Sequence, residues 1–243
     1  MKTRRQKQHE RNSSIAILGV SFALIVVMHA LAEGFARLGL FSLALGIIPV
    51  LAVSQVKNWK YGVLLGGFFG IVSLLTAVIK GYAGVSVWHN VINPLVSVLP
   101  RAFVGFACAL LGTLAAKIFA RLDRDKPIEP ADLPQDNQVD VLPEAQHKRH
   151  RHAGRAVGRL TRDYVVHALI TFTGVVLNAV GFLGMLLVFA RGETVPVGEA
   201  NVAFDLIYVL EFVVGTNTLI EAIVFTAVVP AIVIALKKSR LAK

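Results

Sequence analysis

The sequence predicts an all-α membrane protein of six transmembrane helices, forming one integral membrane domain over residues 1–243. Three observations predict it. Charged residues make up 16% of the chain and hydrophobic residues 55%, whereas a soluble domain carries about a quarter charged residues. The apolar residues come in blocks of bilayer length. Lys and Arg collect in segments that share one side of a six-span chain.

The formal net charge is +10 and the mean hydropathy +0.65. In a soluble protein such a charge would raise nucleic-acid binding. Here the cations sit beside apolar blocks, as cytoplasmic loops facing anionic lipid do, so no nucleic-acid partner is expected. Cys108 is the single cysteine and lies inside an apolar block. It excludes an internal disulfide and reads as a small packing residue. The first apolar block is long and no small-residue cleavage site clearly follows it, so no cleavable signal peptide is expected.

Met1–Arg11 is basic and polar, and Asn12-Ser13-Ser14 could cap the first helix. The spans are then expected at Ile15–Leu31, Leu40–Val56, Tyr61–Ile79, Arg101–Ala120, Tyr164–Ala190 and Thr216–Leu236. The second is expected to be kinked or interrupted near Pro49. Gly62, Gly66, Gly67 and Gly70 allow close helix approach in the third. Lys57-Asn-Trp-Lys60 is a basic turn with an interfacial Trp59. Arg121–Asp163 is the long hydrophilic loop. Its first half is acidic and proline-rich and is expected to be flexible; its second half is basic. Arg191–Asn201 is expected to be a loop. Val202–Val214 is apolar but carries Asp205, Tyr208 and Glu211, and reads as an outer interfacial segment or an extension of the last helix. Cations crowd the N-terminus, the Lys57–Lys60 turn, the Arg121–Arg162 loop and the C-terminus, so both termini are expected to be cytoplasmic.

The chain is organised around Trp88–Arg101, which holds two prolines, two asparagines, a histidine, a tryptophan and an arginine. Irregular polar backbone between two bilayer-length segments is tolerated where it is buried in protein or lines a cavity. The stretch therefore reads as the wall of an outward binding site. Trp88 offers a stacking face, or an aromatic-belt anchor. His89, Asn90 and Asn93 offer donors and acceptors. Arg101 could hold an anionic group or satisfy loose carbonyls of the preceding turn.

Ionisable groups at membrane depth are costly and point to function. Asn217 and Glu221 are four apart on one face of the last span. They could line the pocket, or Glu221 could pair with Arg101 or Lys80 or cap another helix. His29 and Glu33, also four apart, could line the same pocket or sit at the interface. His167, Thr171, Thr173 and Asn178 read as interhelical hydrogen-bonding residues. His147-Lys-Arg-His-Arg-His152 invites a metal reading, but its interleaved cations oppose one, so no metal is expected. The chain carries no Gly-rich phosphate loop, no convincing Ser/His/Asp set and no carboxylate pair placed for acid–base work. Neither an enzymatic role nor a cofactor is expected. Gly19-Val-Ser-Phe-Ala23 is a small-xxx-small pattern suited to packing against another helix.

Asn93-Pro-Leu-Val-Ser-Val-Leu-Pro-Arg101, followed by Phe103-Val-Gly105, resembles the signature that opens the fourth helix in S components of energy-coupling factor (ECF) vitamin transporters. Asn217-Thr-Leu-Ile-Glu221-Ala-Ile, with Val229-Pro-Ala-Ile-Val-Ile-Ala-Leu-Lys237, resembles their last helix. The Arg121–Asp163 loop is long for that family. The resemblance implies the substrate-binding membrane subunit of a vitamin importer in a bacterial cell membrane. Such a subunit captures a vitamin or precursor from outside and docks on a transmembrane T subunit driven by two cytoplasmic ATPases. The Gly19/Ala23 face would meet the T subunit, and Ala32–Gly39 and Lys80–Pro100 would close over the ligand. An ion-coupled secondary transporter using Glu221 or His29 is the alternative, disfavoured by the lack of a visible internal repeat. A membrane enzyme or sensor rests only on the His147–His152 run and the long loop.

Overall fold

The computed structural model describes residues 4–37, 43–81, 86–124, 142–197, 200–208 and 218–239. The chain runs through α1 (Arg4–Arg37), α2 (Ile47–Ser54), α3 (Trp59–Ile79), a 3₁₀ helix (Ser86–Ile92), α4 (Pro94–Ser97), α5 (Leu99–Arg124) and α6 (Leu142–Phe189). It ends with β1 (Thr194–Val197), β2 (Ala200–Ala203), the single turn α7 (Leu206–Tyr208) and α8 (Leu219–Lys238). Among the described residues, five helical stretches are long and apolar enough to cross a bilayer: Arg11–Phe35, Trp59–Ile79, Pro94–Leu122, Val157–Phe189 and Leu219–Lys238. These match five of the six expected spans and are consistent with a multi-pass membrane protein.

The sixth expected span, Leu40–Val56, differs. Among its described residues the helical part is α2, eight residues that are all buried, and at 1.5 Å per residue it covers about 12 Å, less than half a bilayer core. An apolar run fits lipid and protein core equally well, and here the core takes it. Pro49 marks an interruption: residues 43–46 ahead of it are coil and turn, and the helix starts only at Ile47. It sits in the first turn of α2, where backbone N–H groups have no helical partner to lose.

The basic half of the Arg121–Asp163 loop is also different: it is the start of α6, a helix of 48 residues. After Pro143 no proline interrupts the sequence until Pro196, so the helix runs unbroken from the basic segment into the fifth span. Residues 125–141, which include most of the acidic half, lie outside the described residues. Arg191–Asn201 is not a plain loop either. After a glycine turn at Gly192, with φ +86°, β1 and β2 pair antiparallel with Thr194 opposite Ala203 and Pro196 opposite Asn201. In a two-stranded ribbon both strands are edges, so Pro196 is tolerated. Of Val202–Val214, residues 209–214 lie outside the described residues.

Contacts set the order of the bundle. α1 and α3 run parallel, with Phe22 against Phe68 and His29 against Thr76. α3 and α5 run antiparallel, with Gly62 at Gly105, Gly66 at Arg101 and Gly70 at Val98. α6 returns antiparallel to α5, with Gly174 at Cys108 and Gly181 at Pro100. One end of the bundle therefore gathers Lys57, Lys60, Arg121, Arg159, Arg162 and Lys237, and we call it the basic end. The opposite end carries the 3₁₀ helix, α4 and the β-ribbon. Its small core of Val87, Val91, Val96, Leu183, Leu186 and Phe204 seats the irregular stretch on the far half of α6.

Candidate functional site

The irregular stretch is built by local chemistry. Asn93 precedes Pro94, and its Oδ1 accepts a hydrogen bond from the Leu95 N–H at 2.9 Å. This is an N-cap with proline in the first turn, so Asn93 closes α4 and its acceptor is occupied. Ser97 donates to the Val91 carbonyl and ties α4 to the 3₁₀ helix. The chain then enters α5 at Leu99.

Arg101 lies in the first turn of α5 and is 7% exposed. Its guanidinium is held between two rings, with Cζ 5.1 Å from the Phe69 centroid and 4.8 Å from that of Phe182. One nitrogen donates to the Ser97 carbonyl, as the carbonyl-satisfying alternative anticipates. Its Nε–H has no protein partner. Glu221, in the first turn of α8 and also 7% exposed, lies close enough to act on Arg101 electrostatically. Its Oε1 accepts from the Ala44 N–H just before α2. Glu221 thus ties the start of α8 to the turn ahead of α2 without capping that helix, whose N-cap is Gly46.

Asn178 belongs to the same place. It is one turn after Gly174, which faces Val104 and Cys108, and one turn before Gly181 and Phe182, which face Pro100 and Arg101. That spacing sets it on the α6 face opposite the start of α5. It is 8% exposed and its Oδ1 has no protein partner. A buried donor on Arg101 and a buried acceptor on Asn178 are both unmet, which is uncommon in a native interior and asks for an explanation. The sequence reads Asn178 as an interhelical hydrogen-bonding residue. The signal that could have found it is the Gly174–Asn178–Gly181 spacing, which places one polar group among close-packing positions.

The remaining expected residues divide. Asn90 donates to Glu193 Oε1 at 3.0 Å and to the Val87 carbonyl at 3.3 Å, tying the 3₁₀ helix to the turn before β1. His89 is exposed. His29 Nε2 lies 3.1 Å from Thr76 Oγ1, which itself donates to the Val72 carbonyl, so the imidazole is the donor. Glu33 pairs with Lys80 and lies 4.0 Å from His29. These three link the far ends of α1 and α3 and form a tie of their own beside the Arg101 group. The Trp88 side chain and Asn217 lie outside the described residues. Gly19 and Ala23 are exposed on α1, and nothing lies within 4 Å of a Cβ built at Gly19. Among the described residues no group of three His, Cys, Asp or Glu could hold a metal ion.

What the arrangement can do is recognise a small polar molecule. Arg101 supplies a charged donor, Asn178 an acceptor and Glu221 a nearby negative charge, in a low-dielectric setting where such contacts discriminate strongly. The chain matches no family model, no curated protein and no solved structure.

Proposed function

We propose that this protein is the substrate-binding membrane subunit of an ECF-type importer. It takes a vitamin or vitamin precursor from outside and delivers it inward with a T subunit and two ATPases. In this reading the basic end faces the cytoplasm of a bacterial cell, the chain crosses the membrane six times with α2 as a short inner crossing, and both termini are cytoplasmic. The observation that carries the reading is Arg101. The signature that resembles the S components ends on it, and it lies buried with an unmet donor between two aromatic rings, within electrostatic reach of Glu221 and on the side of α5 that α6 and Asn178 face. A membrane protein keeps such a charge where it serves a polar substrate. The exposed Gly19/Ala23 face of α1 supports a docking role for that helix.

Mass spectrometry of small molecules that co-purify with the protein, followed by calorimetry with a panel of vitamins and precursors, tests the binding role. Sub-micromolar binding without ATP, and uptake in cells only when T and ATPase subunits are co-expressed, is the expected result. Failure to bind any member of the panel, or uptake that persists without ATPases, overturns it.

A further inference from the structure

At the basic end, a second polar group joins three helices. Lys237 Nζ on α8 lies 2.7 Å from His167 Nε2 on α6. His167 Nδ1 lies 2.8 Å from Gln55 Oε1. Gln55 Nε2 donates to Thr171 Oγ1 at 3.1 Å and to the Leu51 carbonyl at 3.0 Å. Thr171 in turn donates to the His167 carbonyl at 2.8 Å. An ammonium only donates, so His167 Nε2 accepts. Both Gln55 amide hydrogens are used, so its oxygen accepts from His167 Nδ1–H. The donors therefore run one way, from Lys237 to His167 to Gln55 to Thr171, and a single tautomer of His167 satisfies the chain. The imidazole is fully buried.

This arrangement has no place for another proton. The Lys237–His167 pair holds one hydrogen between its two nitrogens, and a second would leave two cations 2.7 Å apart. The charged and titratable groups around the ring are few. Lys237 comes from α8, and Asp163 acts on both members from one turn earlier on α6. From α2 comes neutral Gln55, with Lys57 two residues beyond it. From α5 come Gly112 against Gln55 and the Cys108 thiol near the Ile170 carbonyl. Asp163 Oδ1 lies 3.7 Å from Arg162 Nη2, so the Arg162 cation partly offsets the negative charge that Asp163 presents to the pair. Pro230 removes a backbone hydrogen bond in mid-α8, which weakens the coupling of its last turns to the rest of the helix.

We propose that the Lys237–His167–Gln55 chain is a proton-sensitive latch that ties the basic ends of α2, α6 and α8. The latched state excludes a second proton from the pair and the open state accepts it, so acidification on this side of the membrane favours opening. The latch does not depend on what solute the far end binds.

The test is amide hydrogen exchange over residues 231–238 in the purified full-length protein, corrected for the chemical exchange rate. For a proton taken up by an ordinary imidazole, the opening equilibrium rises about fivefold between pH 6.5 and 5.5. In His167→Gln, whose amide can accept from Lys237 and donate to Gln55 without titrating, that rise disappears. Lys237→Met, which removes the cation, shrinks it as well and decides the matter should the first variant not fold. Absence of the rise in the unmodified protein, or the same rise in both variants, overturns the latch.

Discussion

Gly62 and Gly105 meet backbone to backbone: a Cβ built on Gly62 would lie 2.1 Å from the Gly105 carbonyl oxygen, and one built on Gly105 would lie 2.0 Å from that of Gly62. Gly66 repeats the relationship one turn on, where its Cβ would lie 2.1 Å from the Arg101 carbonyl oxygen. The missing side chains let α3 and α5 touch, and the contact fixes where the first turn of α5, and with it Arg101, sits.

Gly62→Ala or Gly105→Ala must therefore push the two helices apart. We expect a loss of about 1–3 kcal/mol from overpacking, read as a lower unfolding midpoint in detergent. Gly67→Ala is the control. It lies in the same helix with nothing within 4 Å, so it is expected to be neutral or to stabilise by up to about 1 kcal/mol through helix propensity.

Arg101 and Glu221 are predicted to depend on one another. Each is buried, and removing one leaves the other charge uncompensated, at a cost of about 3–5 kcal/mol in comparable buried pairs. Arg101→Gln and Glu221→Gln should each destabilise the protein. The double variant should lose clearly less than the sum. A double-mutant cycle on unfolding midpoints measures the coupling, and additive losses would show that the two groups are not partners.

Much of this fold was legible in the sequence, and the parts that were not share a cause. Hydropathy finds α1, α3, α5, α6 and α8 because each holds an unbroken apolar window. It cannot say what surrounds an apolar run, so α2, buried on every side, reads like the longer spans on either side of it. The start of α6 is hydrophilic, and its helix is carried by the absence of breakers rather than by any apolar period. The β-ribbon is too short to show alternation above the noise of Pro196 and its neighbouring glycines. At the site, Arg101 and Glu221 stand out because charge is rare in apolar segments. Asn178 does not, since a lone amide in a span is most often a helix–helix bond; only its missing partner distinguishes it. Asn93 drew notice as a pocket residue, and Asn-Pro ahead of a helix is also a cap, a role the structure gives its Oδ1.

That difference separates two asparagines. Asn93→Ala removes the α4 cap and should cost about 1 kcal/mol of stability, with any effect on ligand affinity following only from loosened structure. Asn178→Ala removes an acceptor that no protein group uses. Its stability should be unchanged or raised, while affinity for a ligand that fills the acceptor falls by about 1–3 kcal/mol. Calorimetry on the co-purified compound, paired with unfolding midpoints, reads both. Loss of stability without loss of affinity in Asn178→Ala would move the ligand away from α6.

The α1 face offers the last test, one that separates capture from delivery. Gly19 and Ala23 lie on the exposed side of α1, and a larger side chain at Gly19 meets nothing in the isolated subunit. Gly19→Leu should therefore leave both the unfolding midpoint and ligand affinity unchanged. If this face receives a T subunit by close backbone approach, the added side chain holds the helices apart and the van der Waals contact that drives their association is lost. Uptake in cells expressing the full set of subunits is then expected to fall at least tenfold, with co-purification of the T subunit falling in parallel. Gly158→Leu serves as the comparison. It is an equally open glycine near the basic end of α6 and should leave uptake unaltered. Normal uptake in Gly19→Leu would remove α1 as the docking helix while leaving the binding site at Arg101 untouched.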